Sequence, residues 1–194
     1  FLLEYTGGKL HIPTISTAKS VALIKEAKKK GLQVSCSVSA HHITLVDDEL
    51  QFFDSKVKVT PPLRTKADTK ALQKGLKDGI IDMITSDHNP IDTEHKKLEF
   101  SLSKDGTIGL ESLFGAVNTV LDLETTIKCL TTNPRSVFGQ DIQSIKKDTT
   151  ANFTLFNPEG SYLFSKDNIL STSKNSALIY MTKLVISSFS GKIN

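Results

Sequence analysis

The sequence predicts an α/β protein with a parallel sheet, followed by a small module of β-strands. Apolar segments with strand-like alternation take turns with helix-patterned segments, and histidines follow several of the strand ends. Beyond about residue 142 only short alternating β segments are left, at residues 142–156 and 178–189. We therefore expect the α/β part to cover residues 1–142 and the β module to cover residues 143–194.

The first strand and helix are predicted near the start of the chain. Residues 10–16 have the pattern of a short strand, and Ser16 or Thr17 can cap the helix that follows. Three lysines and then Gly31 would end that helix, as the helix dipole and the C-cap preference favour. Its buried side is expected to carry Val21, Leu23, Ile24 and Ala27.

The next strand, at residues 32–39, delivers Ala40-His41-His42 at its end. Residues 57–60 have a second strand-like pattern and lead into Pro61-Pro62-Leu63-Arg64. Thr65 then opens a helix that ends near Gly79. Its inward residues are expected to be Ala67, Ala71, Leu72, Gly75 and Leu76.

The clearest strand covers residues 80–87, followed by a polar loop at residues 88–106. Two helices are predicted after the loop, around residues 110–121 and 124–132. Alternation with period two places one set of residues on the same face of the strand. That set is Ile81, Met83, Thr85 and Asp87.

Composition excludes several classes of protein and partner. The apolar runs are only a few residues long, far below the roughly 20 that span a bilayer. The net charge of +3 comes from lysines with only two arginines, Arg64 and Arg135, whereas proteins that read nucleic acids rely on arginine. We expect neither a membrane nor a nucleic acid as partner. Cys36 and Cys129 lie in apolar segments, which predicts buried free thiols in a reducing cytoplasm.

Asp87-His88 is the first candidate for chemistry. A carboxylate at the C-terminal end of a parallel strand can bind a metal or move a proton. The alternative is that Asp87 caps the next turn while His88 pairs locally, and the dipeptide alone favours this alternative. His41-His42 is weaker still, because adjacent strand residues point to opposite faces and cannot both serve one site.

A series of motifs in fixed order is more specific than any of these residues alone. In chain order the motifs are His11-Ile12 with Ser16-Thr17-Ala18, Ala40-His41-His42, Thr60-Pro61-Pro62-Leu63-Arg64, Thr85-Ser86-Asp87-His88-Asn89-Pro90 and Gly109-Leu110-Glu111. Over residues 5–139 this series resembles the C-terminal half of the dihydroorotases, which are cyclic amidohydrolases of pyrimidine biosynthesis.

The resemblance implies the C-terminal part of a (β/α)₈ TIM barrel of the metal-dependent amidohydrolase type, with part of a small β-sandwich. Members of the family interconvert N-carbamoyl-L-aspartate and (S)-dihydroorotate, and a metal-bound hydroxide attacks the ring amide. Asp87 stands at the position of the aspartate that ends the last barrel strand, which binds the metal and shuttles the proton. The implied cofactor is one or two Zn²⁺ ions, with the other ligands in a missing N-terminal half of the barrel.

The chain departs from the family pattern at several site positions. Thr14 replaces a metal-ligating histidine, and a neutral hydroxyl is a poor zinc ligand. Thr60 replaces an asparagine that contacts substrate, and Ile91 replaces the histidine that meets the substrate carboxylate. Asp105-Gly106 stands where the family has Phe-Gly. The motifs also place His41, His42, Arg64 and His88 as supporting residues.

Two hypotheses follow from the resemblance and its departures. The first is that the chain belongs to an active dihydroorotase in which the divergent positions are tolerated. The second is a catalytically silent homologue that acts as a structural or regulatory partner, for example of aspartate carbamoyltransferase. Family members are often dimers, so a homodimer is a further expected partner.

Overall fold

Three short parallel strands form the central sheet of the protein. The computed structural model describes residues 1–142, 153–157, 159–160, 162–179, 183–184 and 189–191. The strands are β1 (Leu10–Ile12), β2 (Val34–Ser39) and β3 (Met83–Thr85). The middle strand β2 pairs in parallel with both neighbours, through Ile12 opposite Cys36 and Ser39 opposite Thr85. The carboxyl ends of all three strands therefore meet at one edge of the sheet.

Helices connect and follow the strands, as the sequence predicts. They are α1 (Leu2–Thr6), α2 (Ala18–Lys29), α3 (Ala40–Thr44), α4 (Lys66–Lys77), α5 (Thr93–Lys96), α6 (Leu113–Asn118), α7 (Leu123–Leu130) and α8 (Thr132–Val137). Short 3₁₀ turns span Asp47–Phe52, Ser55–Val57 and Lys166–Asn168. Thr17 and Thr65 cap α2 and α4, because their hydroxyls accept hydrogen bonds from the backbone N–H groups of Ser20 and Asp68. The two predicted helix starts are confirmed.

The core lies between the sheet and helices α2, α4 and α7. Its fully buried members include Cys36, Val38, Leu72, Ile81, Val117 and Cys129. Gly75 allows α4 to approach closely, since a Cβ atom there would lie 3.1 Å from side-chain carbons of both Val21 and Ile81. Both cysteines are buried free thiols, as predicted, and burial raises the pKa of each to about 11. They are protonated and unreactive at neutral pH.

Several details of the prediction are wrong. Leu23 is 57% exposed and Ala67 is exposed, because α2 and α4 bury narrower stripes than the apolar positions indicate. Residues 57–60 form no strand. Val57 and Val59 are buried there beside Leu63, so their alternation reflects packing of an irregular segment.

The helix and strand boundaries also differ from the prediction. Strand β3 is shorter than residues 80–87, and the loop at residues 88–106 contains the one-turn helix α5. Helix α6 begins at Leu113, and helix α8 has no counterpart in the prediction.

Short antiparallel strand pairs follow the α/β part. Strand β4 (Phe153–Leu155) pairs with β7 (Phe189–Gly191), and β5 (Tyr162–Leu163) pairs with β6 (Lys183–Leu184). The predicted β segments thus contain strands, although residues 143–152 and 185–188 lie outside the described residues.

The chain between β5 and β6 contacts the α/β part. Phe164, Ile169 and Ile179 pack with Ile108 in one buried cluster. Both carboxylate oxygens of Glu111 accept backbone N–H bonds, from Leu170 at 2.7 Å and Ser171 at 2.9 Å. In the described part of the chain, no helix is both long enough and apolar enough to cross a membrane.

Asp82, just before β3, connects three elements. One carboxylate oxygen accepts the N–H of Cys36 on β2 at 2.8 Å, and the other lies 2.7 Å from Nζ of Lys28 on α2. The Asp82 N–H in turn donates to the Cys36 carbonyl at 3.1 Å. Because Cys36 is fully buried, its N–H group depends on this carboxylate.

Asp82→Ala is expected to destabilise the protein by about 1–3 kcal/mol, because it leaves the buried Cys36 N–H without its acceptor. Asp78→Ala is the matched control. It removes an exposed carboxylate that pairs with Lys74, and such pairs contribute about 1 kcal/mol or less. Urea denaturation of the full-length protein measures both. Equal losses in the two variants would contradict the role assigned to Asp82.

Candidate active site

The residues that follow the three strands come together at the carboxyl edge of the sheet. Thr14 lies two residues beyond β1, His41 lies in α3 directly after β2, and Asp87 lies two residues beyond β3. Thr14 and Asp87 have left-handed backbone conformations, with φ of 49° and 46°. The expectation that strand alternation orients Asp87 is therefore wrong. Asp87 lies past the end of β3, and its positive φ breaks the alternation.

His41 is the closest ionisable neighbour of Asp87 in the described structure. Its Nε2 atom lies 3.4 Å from Oδ2 of Asp87, and the imidazole is almost completely buried. No hydrogen bond of good geometry to this Nε2 atom is found among the described residues. The adjacent His41 imidazole lowers the pKa of Asp87 below its usual range. Asp87 is therefore ionised at neutral pH, and its side chain is 36% exposed toward the open side of the edge.

His42 is held in a single neutral form by two polar partners. Its Nε2–H group donates to the Pro61 carbonyl at 2.9 Å, which leaves Nδ1 to accept from the Ser39 hydroxyl at 2.6 Å. Both histidines belong to α3, and their ring centroids are 4.6 Å apart. The expectation that adjacent strand positions separate them is wrong, because the chain turns into a helix at Ala40.

The four positions that the resemblance assigns to substrate binding form one cluster. The Thr60 hydroxyl donates to the Asp105 carboxylate, and the Asn89 side chain donates to the Asp105 carbonyl at 3.4 Å. Gly106 has φ of 137°, and a Cβ atom there would lie 2.9 Å from Cγ1 of Ile91. Thr60, Ile91, Asp105 and Gly106 are named the substrate wall below.

The other motif residues position these two groups. His88 Nδ1 accepts N–H bonds from Gly109 at 3.3 Å and Leu110 at 3.2 Å, so His88 has a local structural role. A Cβ atom on Gly109 would lie only 2.2 Å from the Ser86 carbonyl oxygen, which explains a glycine at this position. Arg64 donates from Nε to the Ser16 hydroxyl at 3.3 Å.

The residues present do not by themselves fit a zinc centre. Within the described part of the chain, no three His, Cys, Asp or Glu side chains are grouped so that they could hold a metal ion. At the edge itself, Thr14 offers a neutral hydroxyl in place of an imidazole. The Asp87 carboxylate has His41 as its neighbour instead.

Two structural roles were not found from the sequence. Ser39 and the Pro61 carbonyl fix His42, and Asn89 bridges Asp87's loop to Asp105. Asn89 lies inside the motif around Asp87 and could have been singled out there. The Ser39 and Pro61 contacts depend on how α3 and the segment after it pack, which the local sequence does not reveal.

Comparison with known protein sequences identifies relatives of this chain. No protein-family model matches the chain. It is 39% identical over 185 residues to a dihydroorotase of Endomicrobium trichonymphae and 38% identical over 192 residues to one of Caldicellulosiruptor saccharolyticus. These matches cover 92% and 96% of this chain but only 44% of each relative, so the chain spans less than half the length of the curated relatives.

Comparison with solved structures identifies the fold. The chain is similar to the L-hydantoinase (dihydropyrimidinase) of Arthrobacter aurescens, with a TM-score of 0.88 and 21% identity. It is also similar to the dihydropyrimidinase of Brevibacillus agri, with a TM-score of 0.86 and 24% identity. Each match covers 97% of this chain and 45% of that chain. The fold is part of a TIM barrel, as the resemblance implies.

The neutral form of His42 predicts a pH dependence of stability. Burial, with a smaller contribution from His41, lowers the pKa of His42 from 6.5 to about 4. As the pH falls below 6.5 the unfolded chain takes up a proton here, whereas the folded protein does so only near pH 4. The free energy of unfolding should therefore fall with pH in this window, by up to about 1.4 kcal/mol per pH unit from His42.

Urea denaturation of the full-length protein between pH 4 and 6.5 measures this slope. His42→Gln should flatten the slope by close to one proton. An unaltered slope in His42→Gln would show that His42 does not stay neutral in the folded protein.

Proposed function

The chain is homologous to the dihydroorotases over more than nine-tenths of its length, and we propose that it forms the Asp87-bearing half of such a cyclic amidohydrolase. The reaction proposed for the whole protein is the interconversion of N-carbamoyl-L-aspartate and dihydroorotate. The observation that supports the proposal is the ionised Asp87 carboxylate at the carboxyl edge of a parallel sheet. In α/β barrels this edge is where catalytic groups are placed.

Opening a cyclic amide requires two proton movements. A proton leaves the attacking water, and the ring nitrogen receives a proton as the C–N bond breaks. A carboxylate that begins ionised can accept the first proton and supply the second. The lowered pKa keeps Asp87 in the accepting form at neutral pH, and the buried His41 imidazole lies 3.4 Å from one carboxylate oxygen.

Three of the four residues of the substrate wall, Ile91, Asp105 and Gly106, lie on the loop that follows Asp87. Asn89, two residues after Asp87, bonds to Asp105, and its backbone N–H donates to the Thr107 carbonyl at 2.9 Å. Thr60 and Asp105 are exposed and present a hydroxyl and a carboxylate. A carboxylate accepts hydrogen bonds from an amide or ureide N–H, so this pair suits the nitrogen side of the proposed substrate. Ile91 offers no donor for a substrate carboxylate.

The proposal is tested by turnover of dihydroorotate in the full-length protein. Asp87→Asn is expected to lower kcat by about 10²–10⁴-fold, the usual contribution of a positioned general acid–base group. Asp78→Asn, at an exposed carboxylate that ends α4, should retain the rate of the parent protein. Turnover that survives Asp87→Asn would contradict the role of Asp87.

A second function is favoured by a specific observation, the substitutions at two site positions. Thr14 provides no imidazole at the edge, and Ile91 provides no donor in the substrate wall. A protein that lacks these groups can keep the barrel as a structural or regulatory partner, for example of aspartate carbamoyltransferase. This function needs the surface of the fold but not the ionised state of Asp87.

Metal content distinguishes the two functions. If the homologue is silent, the full-length protein should contain well under one zinc ion per chain and should not turn over dihydroorotate. It should still co-elute with aspartate carbamoyltransferase in size-exclusion chromatography, and Asp87→Asn should not weaken that complex. Stoichiometric zinc together with Asp87-dependent turnover would exclude the silent homologue.

A further inference from the structure

A cavity lined by lysines opens beside the loop that follows β3. Its volume is about 270 Å³, and its lining includes Ile91 of the substrate wall but neither Asp87 nor His41. The charged residues of the lining are Asp54, Lys56, Lys96, Lys97, Lys166 and Lys174. The cavity is therefore a separate feature from the candidate active site, and the proposed function does not use it.

Hydrogen bonds join the segments that form the walls. Lys96, which is 94% buried, donates from Nζ to the Ser55 carbonyl at 2.7 Å and to the Lys104 carbonyl at 2.8 Å. The Ser55 hydroxyl donates back to the Lys96 carbonyl at 2.6 Å. Elsewhere in the lining the Ser173 hydroxyl donates to the Ile91 carbonyl at 2.7 Å. The cavity is thus built by the fold, with its walls cross-linked before any ligand enters.

The lining carries a large excess of positive charge. The lining has five lysines and a single carboxylate, Asp54, which pairs with Lys56 at 3.0 Å. The ammonium groups of Lys96 and Lys174 donate to backbone carbonyls. Lys97 and Lys166 are exposed at the cavity, and no hydrogen bond or ion pair of either ammonium group is found within the described structure. Like charges held in so small a volume repel one another, and an anion between them relieves the repulsion.

Neutral donors accompany the lysines. Thr93 and Asn175 line the cavity, and the Asn175 amide uses one N–H for the Gly106 carbonyl at 3.0 Å. An amide nitrogen has two N–H groups, so a second is left for a ligand. Ammonium groups combined with hydroxyl and amide donors form the donor set that binds the oxygens of a phosphate.

We propose that this cavity binds the phosphate part of a small phosphorylated metabolite. A single carboxylate would offset only one of the excess charges, whereas a phosphate or diphosphate group brings more negative charge in the same volume. The cavity is slightly smaller than the roughly 300–1,000 Å³ of sites that enclose whole drug-sized ligands. The cavity holds the phosphate group, and the rest of the metabolite extends outward.

Isothermal titration calorimetry of the full-length protein with inorganic pyrophosphate tests the proposal. Lys97→Met and Lys166→Met should each weaken binding by about tenfold, the effect of removing one charge-assisted contact. Both side chains are exposed, so neither change disturbs the core. Lys70→Met, at an exposed lysine on α4 away from the lining, removes the same charge and should leave the affinity unchanged.

Two further ligands complete the test. A nucleoside diphosphate that binds more tightly than pyrophosphate would identify a nucleotide as the source of the phosphate, and equal affinity would identify free phosphates. Succinate should bind at least tenfold more weakly, because two carboxylates match the lysines less well than a diphosphate. The absence of saturable pyrophosphate binding would overturn the proposal. So would equal losses in all three lysine variants, or succinate binding as tight as pyrophosphate.

Discussion

The parallel pairing of β2 with both β1 and β3 is the constraint on which the rest of the structure depends. Because all three strands run the same way, the segments that leave them are delivered to a single edge. Thr14, His41 and Asp87 meet there although they are far apart in the chain. Asp82, which directly precedes β3, forms two hydrogen bonds with Cys36 on β2. These bonds fix the register between the two strands, and that register places Asp87 beside His41.

Both outer strands leave this edge through a left-handed residue that is not glycine. Such residues cost of order 1–3 kcal/mol each and persist only where the surroundings hold them in place. At Asp87 those surroundings include His41 and the contact between Gly109 and the Ser86 carbonyl. At Thr14 the backbone N–H donates to the Ser37 hydroxyl at 3.3 Å. The backbone therefore turns sharply at Thr14 as it does at Asp87, although the Thr14 side chain is only a neutral hydroxyl.

Local features of the fold could be predicted from the sequence, whereas contacts between distant segments could not. Thr17 and Thr65 are recognisable as caps because an N-cap acts within three residues of itself. The helical turn that groups His41 with His42 depends on packing against α4 and α6, so alternation misplaces these histidines. The order of the motifs predicts that the residues of the substrate wall belong to one site. It does not predict the contact between Thr60 and Asp105, which only the folded loops form.

The loop at residues 88–106 shows why polarity alone does not define a surface segment. Its sequence is polar, yet Lys96 is buried within it, and desolvation lowers the pKa of that ammonium group. Two backbone carbonyls offset the desolvation, and the one at Ser55 anchors the loop to the turn there. The same loop begins with His88, which accepts from Gly109, and Asn89, which donates to Asp105. It then passes Ile91, which belongs to both the substrate wall and the lysine-lined cavity. A single hydrogen-bonded loop thus fixes the geometry of the carboxylate edge and of the cationic cavity beside it.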